Sequence, residues 1–268
     1  PHGPFIVDEK YSSLYTDKCK SPSDKFFGMI TNIDENMGLL MQKLEEWELS
    51  ERTLLIFMTD NGSARGTFNF GMRGKKGSEH EGGARVPLFM RLPGVTKPGV
   101  DIDRLTRHYD LFPTLASIAG AELPKDYELD GRSLVPLLQD AGSPWEDRDV
   151  FFHVGRWGKK GAGKWERGKT DPDEAKYNRF AVRNERWRLV GEELFDIDAD
   201  PGEANDVSQQ HPQIVKAMLR SYDQWWSEVR PMMVNEDASL DVRKPFVELY
   251  EKQKKESGIP NWVQPDLE

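Results

Sequence analysis

Apolar residues recur at threes and fours between Ser23 and Leu49. They are Phe26, Phe27, Ile30, Ile33, Met37, Leu40, Met41, Leu44 and Trp47, with charged residues between them. That period predicts a long amphipathic helix, capped at Ser21 or Ser23, whose apolar stripe packs on one face of a sheet. A short apolar run, Leu54 to Met58, follows the Glu51-Arg52 turn and reads as a buried strand of a parallel sheet. Helix then strand is half of a βα repeat, so the sheet is expected to be mostly parallel. Val86 to Leu92 predicts a second strand ended by Pro93-Gly94, and Thr106 to Ala119 a helix stopped by Gly120. Ser133 to Leu138 reads as a short helical piece interrupted at Pro136.

Around Trp145 the texture changes. Val150 to Val154 predicts a strand, after which residues 155–165 form a basic, glycine-rich loop with two tryptophans. Such a loop is a solvated connection by default. Basic residues beside aromatics can also hold an anionic ligand, and Arg156 and Trp157 are the candidates for substrate recognition at a pocket rim. Phe180 to Val182, Trp187 to Val190 and Leu194 to Ile197 cluster as short strands joined by tight turns, an antiparallel meander. Pro212 to Glu228 predicts an amphipathic helix with Ile214, Val215, Met218, Leu219, Tyr222 and Trp225 or Trp226 inward. The expected architecture is α/β, a mostly parallel sheet flanked by helices over residues 1–145. A small antiparallel α+β subdomain over 146–230 and an irregular tail over 231–268 complete it.

Composition narrows the functional classes. A formal charge of -9 and a pI near 5.2 argue against a general nucleic-acid or anionic-membrane partner. No apolar stretch approaches the roughly 20 residues of a membrane helix. No signal peptide stands at the start, which decides little about compartment because the chain opens inside a motif. Cys19 is the single cysteine, so an internal disulfide framework is excluded.

The candidate chemistry gathers between Asp60 and Pro87. Asp60-Asn61-Gly62 stands where the first predicted strand ends, and open α/β sheets collect ligands beyond the carboxyl ends of their strands. An acid beside an amide offers two hard oxygen donors suited to calcium or magnesium. Taken alone, the same three residues are also ordinary turn chemistry. Further on, Gly74-Lys75-Lys76-Gly77-Ser78 brackets two lysines with glycines, which lets the backbone approach an anion that an ammonium neutralises. His2 lies between prolines, where a histidine is more often a surface or packing residue than a functional one.

The string from Thr53 to Pro87 resembles the sulfatase family, whose members carry DNG at a strand end followed by a G-K-G-[ST]-x-x-E-G-G-x-R-x-P segment. The resemblance extends to Pro1-His2-Gly3-Pro4-Phe5, to Leu111-Phe112-Pro113-Thr114-Leu115, to Ala181-Val182-Arg183, and to Glu193-Leu194-Phe195-Asp196 with Asp200-Pro201-Gly202-Glu203. It spans residue 1 to about Trp226. It implies an alkaline-phosphatase-like fold and hydrolysis of a sulfate ester by a formylglycine hydrate, with a divalent cation, usually calcium, at the site. Carried onto this sequence, Asp60 and Asn61 become metal ligands and Lys76 the cation on the sulfate oxygens. His2 becomes an ester contact or proton donor, a role an imidazole suits because it titrates near neutrality. Metal and lysine would stabilise charge that grows on the transferred group.

The departures are as informative. Formylglycine arises from cysteine in a C-x-[PA]-x-R segment. Cys19-Lys20-Ser21-Pro22-Ser23 has its proline one place late and no arginine at the fifth position. Cys19 therefore reads as an incidental thiol. No first strand with paired aspartates appears either. An upstream portion with the nucleophile is expected, and the chain by itself is expected to lack turnover and to expose apolar sheet edge and faces. The resemblance implies a small sulfated substrate, which includes sulfated carbohydrate. It also implies a periplasmic, secreted or lysosomal setting. It leaves two alternatives: a phosphoryl-transfer relative of the same superfamily, or a noncatalytic domain of sulfatase descent.

Overall fold

The computed structural model describes residues 1–66, 68–153, 172–233 and 245–258. A one-turn helix α1 (Glu9–Ser12) precedes α2 (Ser23–Glu46), the predicted amphipathic helix. Pro22 occupies the N-cap of α2 and has no side-chain oxygen to offer, so neither Ser21 nor Ser23 caps the helix as expected. Core packing along α2 is also thinner than its period suggests. Of its apolar positions Phe26 and Leu44 are buried, while Ile30, Ile33, Leu39, Leu40 and Met41 are exposed. The reason is the small sheet available: β1 (Leu55–Met58) and β2 (Leu88–Arg91) have four residues each and form a two-stranded sheet.

That pair corrects one expectation. β1 and β2 run antiparallel, with Met58 opposite Leu88 and Leu55 opposite Arg91. A parallel pair needs a crossover that returns the chain to the end where the first strand began. Among the described residues between Met58 and Leu88 the one helix is a single turn, α3 (Glu81–Ala84), and the chain doubles back at the edge it left. Helices and strands still alternate here as an α/β body requires. The consequence is that Asp60-Asn61-Gly62 and Arg85-Val86-Pro87 emerge at the same sheet end. β1 is only partly covered, and Met58 and Phe89 are exposed.

α4 (Leu111–Ala119) ends at Gly120, whose φ of 66° supplies the left-handed stop the sequence promised. Its entrance is held by Asp110, fully buried, which accepts from the backbone N–H of Arg107 at 2.7 Å and of Arg132 at 2.9 Å and pairs with Arg148. α5 (Val135–Gln139) follows, with Pro136 in its first turn instead of interrupting it, a position where the missing N–H costs no helical bond.

The second sheet is β3 (Val150–His153), β4 (Phe180–Arg183), β5 (Trp187–Val190) and β6 (Glu193–Asp196), antiparallel throughout and in sequence order. A short helix, α6 (Pro172–Ala175), precedes β4. Strand alternation divides the side chains between two faces. Phe151, Phe180, Val182, Leu189 and Leu194 share one face through the registers Phe151 to Val182, Val182 to Leu189 and Leu189 to Leu194. Against it lies α7 (Pro212–Val229), whose Tyr222 ring sits 4.5 Å from Phe180 and 6.3 Å from Phe151. On the other face Phe152, Ala181, Val190 and Phe195 pack together with Ile197. Both faces are covered, so β4 is buried at every position.

Residues 1–226 make one compact unit and 227–268 a second. The stretch expected to be irregular contains α8 (Pro245–Glu256). Its sequence has no strong apolar period, but Leu, Glu, Lys and Gln are good helix formers, and Glu248 near the start with Lys254 and Lys255 near the end match the helix dipole. Among the described residues no helix is long and apolar enough to cross a membrane.

Tyr222 is fully buried and its hydroxyl donates to the Lys176 carbonyl at 2.6 Å. Tyr222→Ala is therefore expected to lower stability by about 3–5 kcal/mol in urea unfolding, the range for large aromatic truncations. A loss under about 1 kcal/mol would mean that the α7–sheet contact is not a core contact.

Candidate functional site

Two loops meet at the end of the β1–β2 sheet. Gly62 donates its N–H to the Gly83 carbonyl at 3.1 Å, and a Cβ at Gly62 would lie 1.9 Å from the Gly82 oxygen. Only glycine allows the acid-amide turn to press so closely on the Glu81-Gly82-Gly83 turn. The Lys76 N–H then donates to the Ser63 carbonyl at 3.1 Å. Ser78 closes the lysine turn, giving its N–H to the Lys75 carbonyl at 2.8 Å while its hydroxyl accepts from the Lys75 N–H at 3.2 Å. Gly74, with φ of 88°, opens that turn, and a Cβ there would meet the Ser78 hydroxyl at 2.2 Å.

The structure thus ties the backbone of Lys76 to the residue just past Asp60-Asn61-Gly62. Asp60 and Lys76 are exposed, and neither side chain takes a hydrogen-bond or ion-pair partner among the described residues. The Asn61 amide nitrogen donates to the Gly62 carbonyl at 3.2 Å, and among the described residues its side-chain oxygen takes no hydrogen bond. The Ser63 hydroxyl is buried without a partner, an unsatisfied polar atom at the base of the same turn. Phe5 brings the start of the chain to this loop: its ring lies 5.6 Å from the Arg65 guanidinium and 5.5 Å from Phe26. The His2 ring is exposed and contacts the Gly3 carbonyl at 2.6 Å; among the described residues it hydrogen-bonds neither Asp60 nor Lys76. Arg156 and Trp157 lie outside the described residues.

The donor set fits a hard cation in kind: one carboxylate and one free amide oxygen, adjacent at a strand end. It does not fill a coordination sphere of 6–8 oxygens, about the calcium norm. Among the described residues no group of three or more histidine, cysteine, aspartate or glutamate side chains could hold a metal.

What sequence reasoning missed is the support beneath the lysine loop. Arg183 and Arg188 are cross-strand partners on β4 and β5, an arrangement that repels by itself. Glu81 resolves it. Its Oε1 receives Arg188 at 2.5 Å and Arg183 at 3.1 Å. Glu203, fully buried at the Asp200-Pro201-Gly202 turn, accepts from the Glu81 N–H at 3.0 Å, meets His80 Nδ1 at 3.0 Å and lies 3.5 Å from Arg188. Arg188 also donates Nε to the Glu79 carbonyl at 3.1 Å. Arg73 bridges to the Glu203 carbonyl at 3.3 Å and to the Glu193 carboxylate at 3.4 Å. The available sequence signal was an arginine inside the apolar run Trp187-Arg188-Leu189-Val190, since a buried guanidinium requires a buried acid.

Comparison with known proteins identifies the class. The structure overlays on Ps i-CgsB in complex with k-i-k-neocarrahexaose with a TM-score of 0.71 at 24% identity, covering 96% of this chain and 53% of that one. That overlay supports an alkaline-phosphatase-like fold. The sulfatase model matches residues 1–121, and the model described as N-sulphoglucosamine sulphohydrolase, C-terminal, matches residues 72–225. The chain belongs to the sulfatase family. It is 36% identical to steryl-sulfatase of Homo sapiens over 167 residues, which is 56% of this chain and 28% of that protein. It is 27% identical to N-acetylgalactosamine-6-O-sulfatase of Bacteroides thetaiotaomicron over 204 residues, 71% of this chain and 39% of that protein. The chain thus spans well under half the length of these relatives.

Burial by itself would push the Glu81 carboxyl up, but the guanidinium groups of Arg188 and Arg183 outweigh it and hold the carboxyl below its ordinary value. A depressed folded pKa stabilises above the unfolded value and is lost as pH falls through the folded one. Stability should therefore decline on acidification below about pH 4.3, the unfolded glutamate range. Glu81→Gln should flatten that decline and cost about 3–5 kcal/mol at neutral pH, because two buried guanidinium groups lose their counter-charge. Urea midpoints across pH test both statements, and a variant with an unaltered acid limb would contradict them.

Proposed function

We propose that this chain supplies the cation-side and lysine-side half of a sulfate ester hydrolase site. The observation that carries the reading is the Lys76 N–H to Ser63 carbonyl bond, which brings the lysine loop to the acid-amide turn. On this reading Asp60 and the Asn61 amide oxygen hold a divalent cation, calcium by family, with further oxygen ligands from elsewhere in the enzyme. When bound, that cation would stabilise negative charge on the sulfate group. Lys76 places its unpaired ammonium on the sulfate oxygens, where charge grows during transfer. Its compact point charge on a flexible stem suits a tetrahedral oxyanion. His2, carried on the segment whose Phe5 meets Arg65, contacts the ester oxygen and offers it a proton.

The nucleophile in this proposal is a formylglycine outside this chain, so the chain alone does not turn over. Residues 1–145 then act as part of the catalytic α/β body and 146–230 as its antiparallel subdomain. Similarity to an N-acetylgalactosamine-6-O-sulfatase supports a sulfated sugar as substrate, with Arg156 and Trp157 proposed at the pocket rim. The net charge of -9 supports a small ester over nucleic acid or an anionic membrane surface as partner. The family resemblance supports a periplasmic, secreted or lysosomal setting.

Lys76→Ala and Asp60→Ala in the intact enzyme test the reading. Each should lower kcat/KM for an aryl sulfate by roughly 10²-fold or more, the scale for removing a charge-stabilising group. Asp60→Ala should also weaken calcium binding measured directly by calorimetry. Near-normal hydrolysis by both variants would refute the assignment. A preference for phosphate over sulfate esters in the unaltered enzyme would favour the phosphoryl-transfer relatives instead.

A further inference from the structure

Lys76 is fixed on one side by its own N–H to Ser63, but the residue after it is Gly77, with φ of 78° and open space around it. A glycine there gives the lysine loop freedom that the two Ser78–Lys75 bonds limit from within the turn. A restraint from outside the turn comes from a residue 102 positions further along the chain. Arg179, immediately before β4, donates Nη2 to the Gly77 carbonyl and to the Glu79 carboxylate, the latter at 3.0 Å. Both bonds come from one terminal nitrogen, so the Gly77 carbonyl and the Glu79 carboxylate are drawn to a single point on the Arg179 side chain. Arg179 itself has φ of 57°, a conformation that side-chain-bearing residues rarely adopt, which aims its side chain back from the sheet toward the loop.

We propose that Arg179 is a positioning residue for Lys76: by clamping Gly77 and Glu79 it sets where the ammonium stands relative to the acid-amide turn, and so makes the antiparallel subdomain part of the sulfate site. This inference rests on the sulfate-binding role proposed for Lys76. Arg179 touches neither sulfate nor cation in this scheme. The buried network of Glu81, Arg188 and Glu203 anchors the far side of the loop, while among the described residues Arg179 is the side chain that reaches the Gly77 carbonyl. Its side chain is 46% exposed, but that of Glu79, the carboxylate it pairs with, is 14% exposed, so Arg179→Ala takes a counter-charge from a largely buried acid and Arg179→Lys, which keeps the charge, is the milder variant.

The experiment is a double-mutant cycle in the intact enzyme with Arg179→Ala, Lys76→Ala and the pair, reading kcat/KM for an aryl sulfate and the inhibition constant of inorganic sulfate. Arg179→Ala should lower kcat/KM by about tenfold and raise the sulfate inhibition constant comparably, as displacement of a catalytic group by a fraction of an ångström does. Loss of the Glu79 counter-charge should lower the melting temperature of Arg179→Ala by about 2–4 °C, so both constants are read well below that temperature, where the variant is folded. Arg179→Lys, which keeps one donor, should recover part of the loss. In the Lys76→Ala background Arg179→Ala should add little, because there is no ammonium left to position. If Arg179→Ala leaves both constants within about twofold while Lys76→Ala damages them, or if the two losses simply add, the positioning role is overturned and the function of Lys76 stands. If Lys76→Ala itself changes neither constant, the reading beneath this inference fails with it.

Discussion

A single carboxylate, that of Glu81, holds the two parts of the site unit together. Arg183 and Arg188 face each other across adjacent strands, and without an acid between them that stretch of β4 and β5 would repel itself. Glu81 comes from the loop after Lys76, so the same carboxylate that neutralises the two strand arginines ties the lysine loop to the antiparallel sheet. Glu203 completes the arrangement by taking the Glu81 N–H, which lets the one-turn helix α3 begin against a buried acid. A buried ion pair is seldom a large net stabiliser, because desolvation offsets much of the Coulomb gain. What it supplies here is register: guanidinium and carboxylate meet in few geometries, and each of them fixes where residues 77–81 lie.

The glycines of this region follow from that restraint. Gly62 and the Gly82-Gly83 turn approach to a distance no side chain would tolerate, so the acid-amide turn rests directly on the backbone that Glu81 anchors. Burial in the network thus passes to Asp60 and Asn61 through main chain. Asp60 and Lys76 are exposed and, among the described residues, take no side-chain partner, while Asn61 is half-buried with its amide nitrogen on the Gly62 carbonyl.

Much of this was legible in the residues. The period of three and four gave α2 and α7, the Gly120 stop ended α4, and short alternating runs gave β4, β5 and β6. DNG, the glycine-flanked lysines and E-G-G-A-R marked turns that the fold brings into backbone contact, because turn chemistry is local and leaves its mark in order along the chain. The direction of the β1–β2 pair was not legible, since an apolar run of four or five residues carries no information on its partner. The depth of α2 burial was hidden for a related reason: a periodic stripe announces an apolar face without saying how much surface covers it. Arg188 and Glu203 were missed because ion pairs between residues more than a hundred positions apart have no sequence period. Helix α8 was missed because its residues favour helix by propensity, without an apolar stripe.

Ile30, Ile33, Leu39, Leu40 and Met41 of α2, Met58 of β1 and Phe89 of β2 are exposed. The central claim is that the acid-amide turn, Lys76 and His2 converge on one tetrahedral anion and its cation. The direct measurement is a crystal structure of the intact enzyme with calcium and a sulfate ester or inorganic sulfate bound. The account predicts a cation touching Asp60 and the Asn61 amide oxygen, with the anion beside it in hydrogen-bond reach of Lys76 Nζ and the His2 ring. An anion and cation seated at other residues, with Lys76 and His2 turned to solvent, would contradict it.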